Sequence, residues 1–139
     1  MHDSLIPGIL VNHVKAGPYN GIGEIHLFSP DKENSNFKKI LEIANQNKLP
    51  VLLHGDRGVV KLAFKWIPEL TIIWAHLGED PNVKILDRIL NHYPNLYIDT
   101  STINIFACLP STLYSVACLK VHISIYACHH EVLPRSTSS

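Results

Sequence analysis

The sequence predicts a parallel α/β fold, a βαβαβαβ chain whose helices lie outside a single sheet. Three observations carry this reading. Short apolar runs, β-branched in part, end in turn residues; amphipathic stretches of helical period lie between them; and a proline follows each amphipathic stretch. With 139 residues, 46% of them hydrophobic and 17% charged, the chain has the material for one ordinary domain core and the polarity to cover it.

The first strand is expected over 21–28. Phe37, Ile40, Leu41 and Ala44 then fall at i, i+3, i+4 and i+7, one face of a helix that Ser35 or Asn36 is placed to cap. Pro50 stops that helix, and 51–54 reads as the second strand. Val60, Ala63, Phe64 and Ile67 repeat the helical spacing before Pro68, and 71–76 is the third strand. Leu86, Ile89, Leu90 and Tyr93 repeat it again, with Asp80 as N-cap, Pro81 in the first turn and Pro94 beyond the end; 96–99 is the fourth strand. Strand, helix and strand joined by short loops make right-handed crossovers and hence a parallel sheet.

This pattern occupies residues 1–102. Between Thr100 and His130 the only charged residue is Lys120, so 103–139 is read as an atypical apolar segment without a clean period, ending in a mobile polar tail. The stretch 113–127 is apolar, but Lys120 and His122 interrupt it and about 20 apolar residues are needed to span a bilayer. Ala-Cys recurs at Cys108, Cys118 and Cys128 with nothing else repeated, and small buried hydrophobes explain these cysteines.

Twelve basic against twelve acidic side chains leave no field to recruit nucleic acid or an anionic membrane, so the expected partner is a small-molecule substrate. Met1-His2-Asp3-Ser4 is no secretory start, and three cysteines without metal-type spacing point to a reducing, cytoplasmic setting. Gly21-x-Gly23 precedes its strand, which excludes a dinucleotide fingerprint, and no Gly-x-Ser-x-Gly elbow exists. His129-His130-Glu131 reads as solvated tail.

Nine histidines are many for this length, and several stand where a strand ends. Glu24 and His26, then His54, His76 and Asp99 close the four strands at intervals of 30, 22 and 23 residues, one strand-helix unit each. Alternation puts Glu24 and His26 on one face of the first strand, with Gly23, Ile25 and Leu27 on the other. Leu52 then shares a face with His54, Trp74 with His76, and Tyr97 with Asp99, while Ile25, Leu53, Ala75 and Ile98 turn toward the helices. The polar set converges where parallel α/β sheets bind ligands, at the carboxyl ends of the strands. Any one of these histidines alone is accounted for by a backbone carbonyl, and Asp99-Thr100-Ser101 also suits a turn or helix cap.

The ordered set Gly21-Ile22-Gly23-Glu24-Ile25-His26-Leu27-Phe28, Val51-Leu52-Leu53-His54-Gly55-Asp56, Ile73-Trp74-Ala75-His76-Leu77-Gly78 and Asn95-Leu96-Tyr97-Ile98-Asp99 resembles the middle strands of the amidohydrolase superfamily, in particular the amidohydrolase-related, metal-dependent TIM-barrel hydrolases. The resemblance covers about residues 17–102 and implies a partial, half TIM barrel holding the fourth to seventh of eight strands. It implies a divalent metal, most often zinc, with His54 as ligand and Glu24 and His26 nearby as the others. By the same resemblance His76 orients or activates water; Asp99, one strand too early for the family's aspartate, is the second candidate catalytic residue by its place at a strand end. The family's His-x-His of strand one and aspartate of strand eight have no counterpart here, and a full barrel takes about 250 residues.

Two readings follow. One is a metal-dependent hydrolase of the amidohydrolase type, acting on a C–N or C–O bond or on a related decarboxylation, and incomplete in this chain. The other is a noncatalytic truncated fragment or small α/β binding protein. On either, Ile22, Leu52, Ile72 and Trp74 are expected on the open side of the sheet, where they favour self-association through the open barrel face.

Overall fold

The computed structural model describes residues 5–31, 33–76 and 82–99, except the side chain of Val83. Asp80 and Pro81, the segment 103–139 with Cys108, Cys118 and Cys128, and His129-His130-Glu131 lie outside the described residues. Four helices alternate with four strands among the described residues: α1 Ile6–Ala16, β1 Ile22–His26, α2 Ser35–Gln46, β2 Val51–His54, α3 Arg57–Trp66, β3 Ile72–Trp74, α4 Val83–His92 and β4 Leu96–Ile98. A short 3₁₀ turn, Ser29–Asp31, follows β1. The strands form one parallel sheet in the order β1-β2-β3-β4, as the alternation of patterns predicts. No helix among the described residues is long and apolar enough to cross a membrane.

Each helix that follows a strand starts from an amide or carboxylate cap. Asn34 Oδ1 accepts from the backbone N–H of Asn36 at 2.9 Å and of Phe37 at 3.4 Å, so Asn34 caps α2. Ser35 and Asn36, expected as caps, are instead the first residues of the helix, because only Asn34 has the extended backbone from which a side chain reaches back over the first turn. Similarly, α4 is capped by Asn82, whose Oδ1 accepts from Ile85 N at 3.3 Å, two residues beyond the expected Asp80. Helix α2 ends with Lys48 in the left-handed region, φ 55°, and Leu49 N donating to Ala44 O at 2.9 Å, a Schellman closure that turns the chain toward Pro50 and β2.

The core lies on one face of the sheet. Phe37, Ile40, Leu41 and Ala44 of α2, Val59, Val60, Ala63 and Phe64 of α3, and Leu86, Ile89 and Leu90 of α4 are buried against Ile25, Val51, Leu53, Ile72, Trp74, Leu96 and Ile98. Helix α1, absent from the periodic reading above, packs against α2 and brings Ile6 and Leu10 to this core. Its signal was a proline in the first turn with Ile6, Leu10 and Val14 spaced by four.

The register corrects three face assignments. Leu53 pairs with Trp74, and Trp74 with Ile98, so all three project to the helix side. Trp74 and Ile72 are therefore buried, 1% and 0% exposed, and do not face the open side as expected. In β1, Ile22 pairs with Val51 and Ile25 with Leu53, so three steps on β1 match two on β2 and an extra residue is accommodated at Gly23-Glu24. This bulge puts both Ile22 and Ile25 toward the helices, where strict alternation separates them. Gly23 is obligatory there: its φ is 147°, and a Cβ would lie 2.5 Å from the carbonyl oxygen of Leu52.

The two faces of β2 should respond differently to truncation. Leu53→Ala, at a fully buried position, is expected to cost about 2–5 kcal/mol by urea denaturation, and Leu52→Ala, on the half-buried opposite face, roughly half of that or less.

Candidate metal centre

Five side chains meet at the carboxyl ends of the strands, and each is held by its element. His54 is the last residue of β2; its carbonyl accepts from Leu27 N at 3.0 Å, so the ladder between the two strands continues past the end of β1. Asp99 follows β4 and extends the ladder on the other side, its N–H donating to Trp74 O at 2.9 Å. Glu24 sits in the β1 bulge, which re-aims its carboxylate. His76 lies just beyond β3 in a 3₁₀ turn with φ 54°, a conformation uncommon for a residue with a side chain. Alternation from the buried Trp74 would send His76 to the helix side; the turn carries it to the polar cluster instead.

Glu24 is the hub. Its Oε1 accepts a hydrogen bond from His54 Nδ1 at 2.9 Å and lies 3.6 Å from Nε2 of both His26 and His76. The imidazoles of His26 and His54 stack with centroids 4.4 Å apart and planes at 19°, while His76 meets His54 edge-on at 5.1 Å. Phe28 adds an edge contact to His54 at 5.9 Å. The His26 side chain is 59% exposed and that of His54 17%, so His26 forms the outer lid of the stack and His54 its interior.

One ligand atom each from Glu24, His54 and His76 lie within 4.8 Å of one another, a grouping that could hold a metal ion. A carboxylate oxygen and two imidazole nitrogens are a donor set that zinc takes in catalytic sites. For bonds of about 2.1 Å the edge of a tetrahedral site is about 3.4 Å, and the 2.9 and 3.6 Å separations of Glu24 Oε1 from the two imidazoles bracket it. The sequence placed Glu24, His54 and His26 at the metal; the structure groups Glu24 and His54 with His76, and His26 lies stacked outside that triad. All five residues singled out in the sequence are nevertheless brought together. A groove of about 350 Å³ lined in part by Ile6, Leu10, Tyr19, Ile22 and Ile40 also reaches Glu24.

The loops around the cluster are stitched to one another. Asp56 caps α3, its Oδ1 accepting from Gly58 N at 2.8 Å and Val59 N at 3.2 Å, and it also receives Ser29 Oγ at 2.6 Å and Ser29 N at 2.8 Å. Trp74 Nε1 donates to Gly55 O at 2.7 Å, tying β3 to the loop after His54. Burial raises the pKa of Asp56, but the hydrogen bonds from Ser29, Val59 and Gly58 outweigh it and hold the carboxyl below its ordinary value. The sequence pattern assigns no role to Asp56 or Ser29; the signal for Asp56 is its position two residues before Gly58 at a helix start.

Searches against protein-family models, curated proteins and solved structures find no match to the chain.

A lowered native pKa means that Asp56 contributes stability above the unfolded carboxylate value near 3.9, and that this contribution disappears as pH falls through the native value. Asp56→Ala should therefore lose about 0.5–2 kcal/mol at pH near 6, with the gap to wild type narrowing on acidification to pH near 3. Urea midpoints at the two pH values check this.

Proposed function

We propose that the chain is a metal-dependent hydrolase of the amidohydrolase type, its four strands corresponding to the middle of a TIM barrel, with a divalent ion, zinc first, held by Glu24, His54 and His76. The observation that carries this reading is the convergence of one carboxylate and two imidazoles from three consecutive strands within 4.8 Å. A bound divalent ion supplies Lewis acidity, bringing the pKa of water toward 7 and polarising the bond to be cut. The remaining work belongs to the chain. In the ion-free chain the hydrogen bond from His54 Nδ1 to Glu24 Oε1, 2.9 Å, holds the two side chains side by side, and an ion that took this nitrogen would displace its proton; the stacked ring of His26 shields that pair from one side. His26 Nε2, 3.6 Å from Glu24 Oε1 and exposed to solvent, is placed to carry a proton to or from the reacting group.

The substrate this reading favours is a small molecule with a C–N or C–O bond to hydrolyse, or a carboxylate to release in the related decarboxylation. The zero net charge offers nothing for a polyanion.

Titration calorimetry of the metal-free chain with zinc tests the site. One equivalent should bind, His54→Ala should abolish the heat, and His26→Ala should retain it. Zinc-dependent hydrolysis of p-nitrophenyl acetate, lost in the same His54→Ala variant, tests the chemistry. Tight zinc binding that survives His54→Ala would place the ion elsewhere, and a wild-type chain that takes no zinc would favour a noncatalytic α/β scaffold.

A further inference from the structure

Among the described residues Asp99 is the one acidic side chain that is buried, at 8% exposure, and the proposed chemistry above leaves it without a role. A buried carboxylate is costly unless it faces a donor. Among the described residues His76 faces it: Asp99 Oδ2 lies 3.8 Å from His76 Nδ1, while Nε2 of the same ring lies 3.6 Å from Glu24 Oε1. The imidazole thus stands between two carboxylates, one at each nitrogen. At 3.8 Å the Asp99 contact is an ion-pair distance, and the broad terminal torsions of Asp and His let it close to a hydrogen bond.

A neutral imidazole carries one proton, and the two placements differ sharply here. With the proton on Nε2, the Nδ1 lone pair would face the buried Asp99 carboxylate. With the proton on Nδ1, the ring donates to the more buried Asp99, and the bare Nε2 is left toward Glu24, whose Oε1 already accepts from His54 Nδ1 and whose side chain, 31% exposed against 11% for Asp99, is open to water. Histidines that ligate metals almost always give their other N–H to a carboxylate, carbonyl or water in this manner. The backbone adds an independent indication. His76 is held at φ 54°, a left-handed conformation disfavoured for a residue with a Cβ, and such conformations gather at functional sites.

We infer that Asp99 is a positioning residue that holds His76 in the Nδ1–H tautomer, with the Nε2 lone pair directed toward Glu24 and His54. The benefit to an ion rests on the metal reading above, whereas the tautomer belongs to the ion-free protein, so the two are tested separately.

The test is a long-range ¹H–¹⁵N correlation spectrum of the metal-free, ¹⁵N-labelled full chain at alkaline pH, near 8.5. His76 signals are assigned by their loss in His76→Gln. Wild type should show a protonated Nδ1 and a bare Nε2. Asp99→Leu should shift the ring toward the Nε2–H form, and Asp99→Asn, whose amide oxygen still accepts, should keep the wild-type pattern. Zinc affinity should fall about 10- to 100-fold in Asp99→Leu and less in Asp99→Asn. An Nε2–H ring in wild type, or a tautomer that Asp99→Leu leaves unchanged, overturns the inference. Should Asp99→Leu fail to fold, the wild-type and Asp99→Asn spectra decide. A wild-type chain that binds no zinc but shows the tautomer switch would end the metal reading and leave the role of Asp99 intact.

Discussion

One-sided burial of a parallel sheet is the constraint on which the rest of this structure depends. Leu53 pairs with Ile25 and with Trp74, and Trp74 with Ile98, so one row of large apolar side chains runs across all four strands and faces the helices. Helices α2, α3 and α4 each cover part of that row. Once it is fixed, every strand must leave the sheet in the same direction and at nearly the same level. Side chains at the four exits are then neighbours in space although they are more than twenty residues apart in sequence. A shift of one residue in any pairing would exchange the faces of that strand, exposing its apolar side chains and burying its polar ones.

Much of this was legible in the sequence because periodicity reports burial. The helical spacing of Phe37, Ile40, Leu41 and Ala44 and the strand at 51–54 needed no tertiary information, and the polar residues at four strand ends stood out against apolar runs. The details that failed are those set by contacts between strands. Strict alternation cannot register a bulge and so predicts Ile22 on the open side, whereas its pairing with Val51 puts it with the core. Nor can alternation say where a strand stops. β3 ends at Trp74, and the left-handed turn at His76 then moves the imidazole to the other side. Counting from His76 back to Trp74 gave the tryptophan the wrong face for that reason. The same turn explains why His76 joins Glu24 and His54 in the triad that His26 was expected to complete.

The electrostatics of the cluster follow from its composition. Three imidazoles and two carboxylates converge, with Glu24 Oε1 within 3.6 Å of a nitrogen from each ring. Carboxylate oxygens and bare imidazole nitrogens are all electron-rich, and close approach among them is favourable only when protons or a cation lie between. The bulge at Gly23 and the turn at His76 both depart from regular geometry, and both aim donors at one point. Asp56 with Ser29 and Trp74 with Gly55 brace the loops beside that point.

The central claim, that Glu24, His54 and His76 form one cation centre, is tested most directly by an anomalous difference map from crystals grown with zinc, recorded on both sides of the zinc absorption edge. The account predicts one peak about 2.0–2.2 Å from a carboxylate oxygen of Glu24 and from a ring nitrogen of each of His54 and His76. A peak bound elsewhere on the chain, or no peak at these residues at saturating zinc, would contradict it.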